Sequence, residues 1–405
     1  MALKEKLLSE IREDHPYVVA LRRHFHQYPE TALEEFRTTE KIEEELDKIG
    51  VPHKRFVSPL IQTGVYAEIE GRKGNGKTIL LRTDIDALPI REERESDFKS
   101  KIDGKMHACG HDGHTASLIG AARILQKNRD LFPGKVLLIF QPAEETGNGG
   151  KAIADIGGYA DGADRTFGMH VAPELPVGTI CVMPGPNNAS VDLFEVTVTG
   201  KGAHVSTPHK GIDTVYIASE MIVAMQSLVT RMSDPMEPLL IGVGSMHGGN
   251  AYNIVADKTV FSGTIRAFNE DLRAKTKERL VSLWENIAGI YGATISVRWA
   301  DNAPVLINDE TAAKEAQKIA EELVGKDHVI TSRTPNMQGD DFAEYNRRVP
   351  GVYAYVGTGN REHPETCLSL HSARFDIDED ALEYTVGMHV LYAVSYLNQF
   401  MEEEK

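Results

Sequence analysis

Apolar positions recur along the chain with two different periods. Lys4–His26 and Glu34–Ile49 carry them at helical spacing, and Gly50 supplies a stop for the second. Short apolar runs follow at Val65–Ile69, Thr78–Leu81, Lys135–Phe140 and Thr166–Met169, with a helical stretch at Thr115–Lys127 among them. This alternation predicts an α/β domain built round a largely parallel sheet. The middle of the chain changes character. Asp192–Thr199 alternates as a half-buried strand, Asp213–Arg231 is helical, and Leu239–Ser245 and Lys258–Arg266 are strand-like. Glu270–Tyr291 is again helical and Thr294–Arg298 is a strand. The order β-α-β-β-α-β is that of a ferredoxin-like module. A helix at Glu310–Val324, a strand at Gly351–Val356 and a closing helix over 379–400 then resume the first pattern. The predicted architecture is one α/β domain in two pieces, 1–187 and 301–405, interrupted by an inserted α+β domain at 188–300.

Composition agrees with this and excludes several classes of function. A chain of 405 residues exceeds one ordinary core. Its longest apolar runs are about five residues, far short of a membrane span. The opening MALKEKLLSEIRED is charged and amphipathic, without the apolar segment of a signal peptide. A net charge of −16 argues against nucleic acid as a partner, since phosphate binding needs a basic face. Three cysteines make no disulfide framework, and the cytoplasm is the expected address.

Candidate chemistry is concentrated at the ends of the predicted strands. Residues 106–114 read MHACGHDGH. In an extended backbone His107, Cys109 and His111 would face one side, and thiolate with imidazole suits zinc and similar metals. QPAEETGNGG, 141–150, follows the apolar KVLLIF and carries the adjacent carboxylates Glu144 and Glu145. Neighbouring side chains diverge, so one could hold a metal while the other handles the proton of an activated water. His170 lies in FGMHVAPELPVG and His371 in LSLHSARFDID. Taken singly, each suits packing or the surface as well as ligation. Four such clusters at strand ends of one α/β domain are where these folds place their sites. Asp84 and Asp86 in LRTDIDALP suit either orienting ligands or capping a helix, and His24 and His26 in RRHFHQYPE read as structural. GRKGNGK, 71–77, misses the phosphate-loop spacing and reads as a turn. No Gly-x-Ser-x-Gly elbow accompanies the histidines, which disfavours a serine hydrolase.

Together these stretches resemble the M20 metallopeptidase family, in particular its N-acyl-amino-acid amidohydrolases such as hippurate and auxin-conjugate hydrolases. The resemblance runs nearly end to end through RRHFHQYPE, LRTDIDALP, MHACGHDGH, FQPAEE, GMHV, GKGAHVSTPH, GTIRAF, GDDFAEY and LHSARFD. It implies a zinc-peptidase-like catalytic domain whose ferredoxin-like insert is a lid and dimerisation domain. It implies two divalent ions, zinc, manganese, cobalt or nickel, held by Cys109, His111, Glu145, His170 and His371, with Cys109 bridging. Glu144 becomes the general base, and His107 drops out as a ligand. His204 matches a histidine that relatives often supply from the partner subunit, and Asn253 and Arg266 match residues holding the substrate carboxylate or nearby oxygens. The chain departs from its relatives at Ala203, where glycine is common, and at Ala256, where proline is common. The expected activity is hydrolysis of N-acyl-L-amino acids by a homodimer. Dipeptidase, carboxypeptidase and N-acetyl-diaminopimelate deacetylase activities remain open on the same motifs, as does a non-catalytic metal-binding protein on the same fold.

Overall fold

The computed structural model describes residues 2–399, and its contacts divide them into two units. The first takes the chain up to Asn187, Ile307–Thr334 and the chain from Asp341 onward. Its centre is an eight-stranded sheet. Thr78–Asp84 lies between Lys135–Gln141 and Arg165–Pro176, parallel to both, and Gly351–Gly359 continues the parallel series. The margins differ from the expected parallel pattern: Val65–Glu70 runs antiparallel to Lys135–Gln141, and Ile180–Cys181 antiparallel to Gly351–Gly359. The turn over 71–77 carries the chain from Val65–Glu70 past the intervening Lys135–Gln141 to Thr78–Asp84, whereas parallel neighbours need longer, usually helical, crossovers. Leu81, Leu138, Phe167 and Val352 of the sheet share one core with Leu118, Leu125, Val386 and Leu391 of the helices His111–Lys127 and Ala381–Gln399. The expected closing helix is thus seen to Gln399, and residue 400 lies outside the described residues.

The second unit, Asn188–Leu306 with Pro335–Asp340, has its own four-stranded sheet and core. Leu239–Gly248, Lys258–Ala267, Val191–Thr199 and Thr294–Ala303 lie side by side in that order, every pair antiparallel. Phe194, Phe261 and Trp284 fill its centre. Its helices begin where capping residues stand. Asp213 accepts from Val215 N and Tyr216 N, and Asn269 accepts from Asp271 N and Leu272 N. The second helix stops at Gly292 in the left-handed region. The helix from Thr214 is shorter than expected, since Leu228–Met232 winds more loosely as a π-turn. Among the described residues no helix is long and apolar enough to cross a membrane.

Candidate metal and catalytic centre

The parallel register sets one end of the sheet as the site. Asp84 pairs with Gln141, so the segment to Asp86 and the turn carrying Glu144 and Glu145 leave the sheet side by side, next to the strand bearing His170. The run 106–114 is not the single extended stretch that its alternation suggested. The chain turns at Gly110 (φ +85°), and His111 begins the helix His111–Lys127. A Cβ at Gly110 would meet Val171 Cγ2 at 2.5 Å, so only glycine lets this turn approach the neighbouring strand. His107 falls outside the cluster, fully buried, with neither ring nitrogen hydrogen-bonded among the described residues.

Five of the expected residues converge. Donor atoms of Cys109, His111 and His170 lie within 4.8 Å of one another, and so do those of Cys109, Glu145 and His371. The Cys109 sulfur therefore belongs to both groups. Donor atoms of His111, Glu144 and Glu145 likewise lie within 4.8 Å of one another. Cys109 Sγ is 3.5 Å from His170 Nε2, and His371 Nε2 is 3.3 Å from Glu145 Oε1. His371 is held in the left-handed region (φ +66°), a conformation costing about 1–2 kcal/mol for a residue with a Cβ. Its N–H donates to Ala108 O at 2.8 Å, which ties the two donor-bearing segments directly together.

Neighbouring groups orient each donor. His111 Nδ1 is 2.8 Å from Asp86 O and His170 Nδ1 is 2.7 Å from Val171 O. Each ring thereby donates through Nδ1 and turns Nε2 inward, the usual support of a ligating histidine. Asp86 Oδ2 accepts from Glu145 N at 3.0 Å, and Glu35 Oε1 accepts from Ala143 N at 2.9 Å. The pair of glutamates is thus aimed by two buried carboxylates. Burial, with Asp86 nearby, pushes Glu35 up to about 7. His114 belongs to a further group with Asp84 and His111, but both its nitrogens are engaged, Nδ1 with Asp84 Oδ1 at 2.6 Å and Nε2 with Val171 N at 3.0 Å. It supports the loop.

Charge in the cluster is strongly negative. Burial favours neutral His111, yet Asp84 and Asp86 overcome it and hold the imidazolium up to about 10. Burial together with Glu145 and Glu144 keeps the Cys109 thiol well above its usual value. His170 is pushed down to about 3 by burial and by His114. Such a cage attracts positive charge, and a bound cation would displace the His111 and Cys109 protons, whereas His170 is already neutral. Among the described residues, the buried His111 Nε2 has no hydrogen-bond partner. Sulfur, imidazole and carboxylate together suit a borderline divalent ion, so the residues fit a metal.

His204, Asn253 and Arg266 belong to the second unit. His204 and Ile254 face each other across a short antiparallel ladder, and Val205 N donates to Asn253 O at 3.1 Å. His204 Nδ1 accepts from Ser206 N at 3.1 Å, so its ring proton sits on Nε2 and the exposed side chain is a donor. Arg266 is half-buried and has no ion-pair partner among the described residues.

Sequence reasoning passed over a buried network behind the site. Arg82 contacts Gln141 at 3.0 Å, Asp84 at 2.7 Å and Asp341 at 2.6 Å, and Asp341 also accepts from Gly150 N at 2.7 Å. Asp341 therefore holds both ends of the glutamate turn, since Gln141 donates to it as well. An arginine inside the apolar strand ILLRTD was the available signal.

The peptidase family M20/M25/M40 matches residues 80–395. The chain is 37% identical to thermostable carboxypeptidase 1 of Saccharolobus solfataricus over 98% of its own length and 100% of that protein. It is 40% identical to an N-acetyl-L-cysteine deacetylase of Bacillus subtilis, over 90% of this chain and 84% of that one. A solved structure from Bacillus subtilis, described as a dinuclear metal binding peptidase from the M20 family, superposes with a TM-score of 0.81 at 34% identity, covering 95% of this chain and 99% of that one. With the match spanning most of its length, this chain belongs to peptidase family M20/M25/M40.

Proposed function

We propose that the protein is a metal-dependent amidohydrolase that cleaves N-acyl-L-amino acids into an acid and a free amino acid. The observation that carries this is the Cys109 sulfur, shared by two donor groups, with Glu144 beside the second. Cys109, His111, His170, Glu145 and His371 would hold two divalent ions, with zinc and cobalt favoured by sulfur and manganese or nickel admitted by carboxylate and imidazole. When bound, such a pair lowers the pKa of water and polarises the scissile carbonyl. Glu144 takes the proton of the attacking water and returns it to the leaving amine, which departs only when protonated. His204 donates from Nε2 to the developing oxyanion, a contribution of about 3 kcal/mol for one such donor. Arg266 grips the substrate carboxylate, with Asn253 on nearby oxygens.

Metal uptake has a predictable pH dependence. A divalent ion displaces the His111 and Cys109 protons, so binding releases protons and tightens as pH rises. His111 is protonated below about 10 in the metal-free protein. Apparent affinity is expected to rise by up to about tenfold per pH unit for each displaced proton. Competition with a chromophoric chelator at stepped pH measures this; a flat profile contradicts the assignment.

The free guanidinium of Arg266 gives a second expectation. Arg266→Met removes a charged hydrogen-bond donor, worth about 1.5–3 kcal/mol, and raises KM roughly 10–100-fold with kcat little changed. Steady-state kinetics on one substrate decides it, and an unchanged KM removes Arg266 from substrate binding.

Side-by-side assay of acetyl-, benzoyl- and aminoacyl-amino acids tests the activity itself. Hydrolysis of the acyl compounds is expected; cleavage of the aminoacyl compounds alone would make the protein a peptidase. Thermostable carboxypeptidase 1 bears that second activity in its name, and the same carboxylate grip would serve it. A homodimer through the second unit also belongs to this proposal, supported by the exposed Tyr216, Val223 and Ile290 on its helices. Free Cys109, Cys181 and Cys367 support a reducing, cytoplasmic setting.

A further inference from the structure

RRHFHQYPE is the one quoted motif that the proposed chemistry leaves without a role. Its Arg22 lies on the helix Ala2–Gln27 and is completely buried. The guanidinium reaches three carboxylates: Nε to Asp112 Oδ2 at 2.8 Å, Nη2 to Asp376 Oδ1 at 2.5 Å and Nη1 to Glu379 Oε1 at 3.1 Å. Asp112 directly follows His111 in the chain, and Asp376 and Glu379 come shortly after His371. His26, one turn on, braces the same Asp112 oxygen at 2.7 Å and approaches Glu92 at 3.4 Å. Arg94 takes the other oxygen of Asp376 at 2.7 Å. The two segments so joined are distant in sequence and also meet through the His371 N–H to Ala108 carbonyl bond and where Gly113 packs beside Ile377.

We propose that Arg22 is a positioning residue whose grip on Asp112, Asp376 and Glu379 sets the spacing between the His111 and His371 segments, and so the convergence of their donor atoms. A planar fork with fixed donor directions suits this; a lysine ammonium carries the same charge but lacks the fork geometry. Asp112 sits where a small shift of its helix start moves His111, and supports behind metal ligands act in this way. The inference rests on reading the Cys109 cluster as metal-binding.

The test is titration of the metal-free protein with Co²⁺, read by the thiolate-to-cobalt absorption that Cys109 would give. Arg22→Lys keeps the charge and is the variant chosen to fold, with Arg22→Met beside it. Arg165→Met is the control. That arginine is also buried, pairs with Glu315 at 3.0 Å, and touches neither segment. Arg22→Lys is expected to bind cobalt about 10–100-fold more weakly at unchanged stoichiometry and far-UV circular dichroism, while Arg165→Met binds like the parent. Excess cobalt should restore kcat in Arg22→Lys with KM unmoved. Equal affinity in Arg22→Lys and parent overturns the inference, as does an equal loss in Arg165→Met. Hydrolysis by the parent is assayed alongside. A parent that binds cobalt but cleaves no acyl-amino acid refutes the amidohydrolase reading and leaves the affinity comparison to judge Arg22.

Discussion

Glu144→Gln is expected to lower kcat by roughly 10²–10⁴-fold, the range for losing a general acid–base, while metal content and KM stay near those of the parent. Glutamine preserves the shape of the side chain but can neither take a proton from water nor return one to the amine. The adjacent Glu145 cannot substitute. Its Oε1 is committed towards His371 at 3.3 Å, and its backbone N–H is fixed by Asp86 at 3.0 Å. The turn itself is over-determined, with Ala143 in the left-handed region (φ +58°) and Asp341 holding both ends. The variant should therefore change the chemistry without moving the frame. Metal analysis and steady-state kinetics on the same preparation test this, and a kcat within about threefold of the parent would exclude the proton-relay role.

The second large effect is expected at Cys109. Cys109→Ala removes the one atom common to both donor groups, so it should cost at least one of the two ions and reduce turnover to background. Folding should survive, because the residue lies in a turn whose shape is set by Gly110 and the helix start. Cys109→Asp restores an anion at the bridge but replaces soft sulfur by hard oxygen, and should shift preference from zinc towards manganese. Metal content by mass spectrometry, with activity after reconstitution by each ion, separates these outcomes. An alanine variant that retains both ions and full activity would show that the sulfur is no bridge.

Much of this arrangement is legible in the sequence because it is local. Glu270–Tyr291 and Glu310–Val324 begin and end where periodicity and caps place them. Lys135–Gln141 and Thr78–Asp84 are apolar runs bounded by polar turns, and the ligand-rich motifs follow strand ends as α/β folds require. What escaped depends on distant partners. The helix carrying His111 starts earlier than Thr115 because Gly110, closely packed on Val171, lets the chain turn; no pattern in HDGH announces this. Alternation through His107, Cys109 and His111 suggested a common face that the turn destroys. The parallel centre was evident from strand–helix alternation, but the antiparallel margins are a matter of which edges remain to be paired. Residues 335–340 join the second unit without any composition shift to mark them. Arg22, Arg82 and Asp341 look like ordinary charges until the fold buries them, Arg22 against Asp112, Asp376 and Glu379, and Arg82 against Asp341.

Side chains from four separate segments are expected to hold two cations about the Cys109 sulfur. Anomalous diffraction from crystals grown with zinc, recorded at the zinc edge, decides this. Two peaks about 3.5–4 Å apart are expected on either side of that sulfur, within coordination distance of His111, His170, Glu145 and His371. A single peak between Asp84 and His114, or no peak at this end of the sheet in zinc-loaded active protein, would rule out a two-ion centre at Cys109.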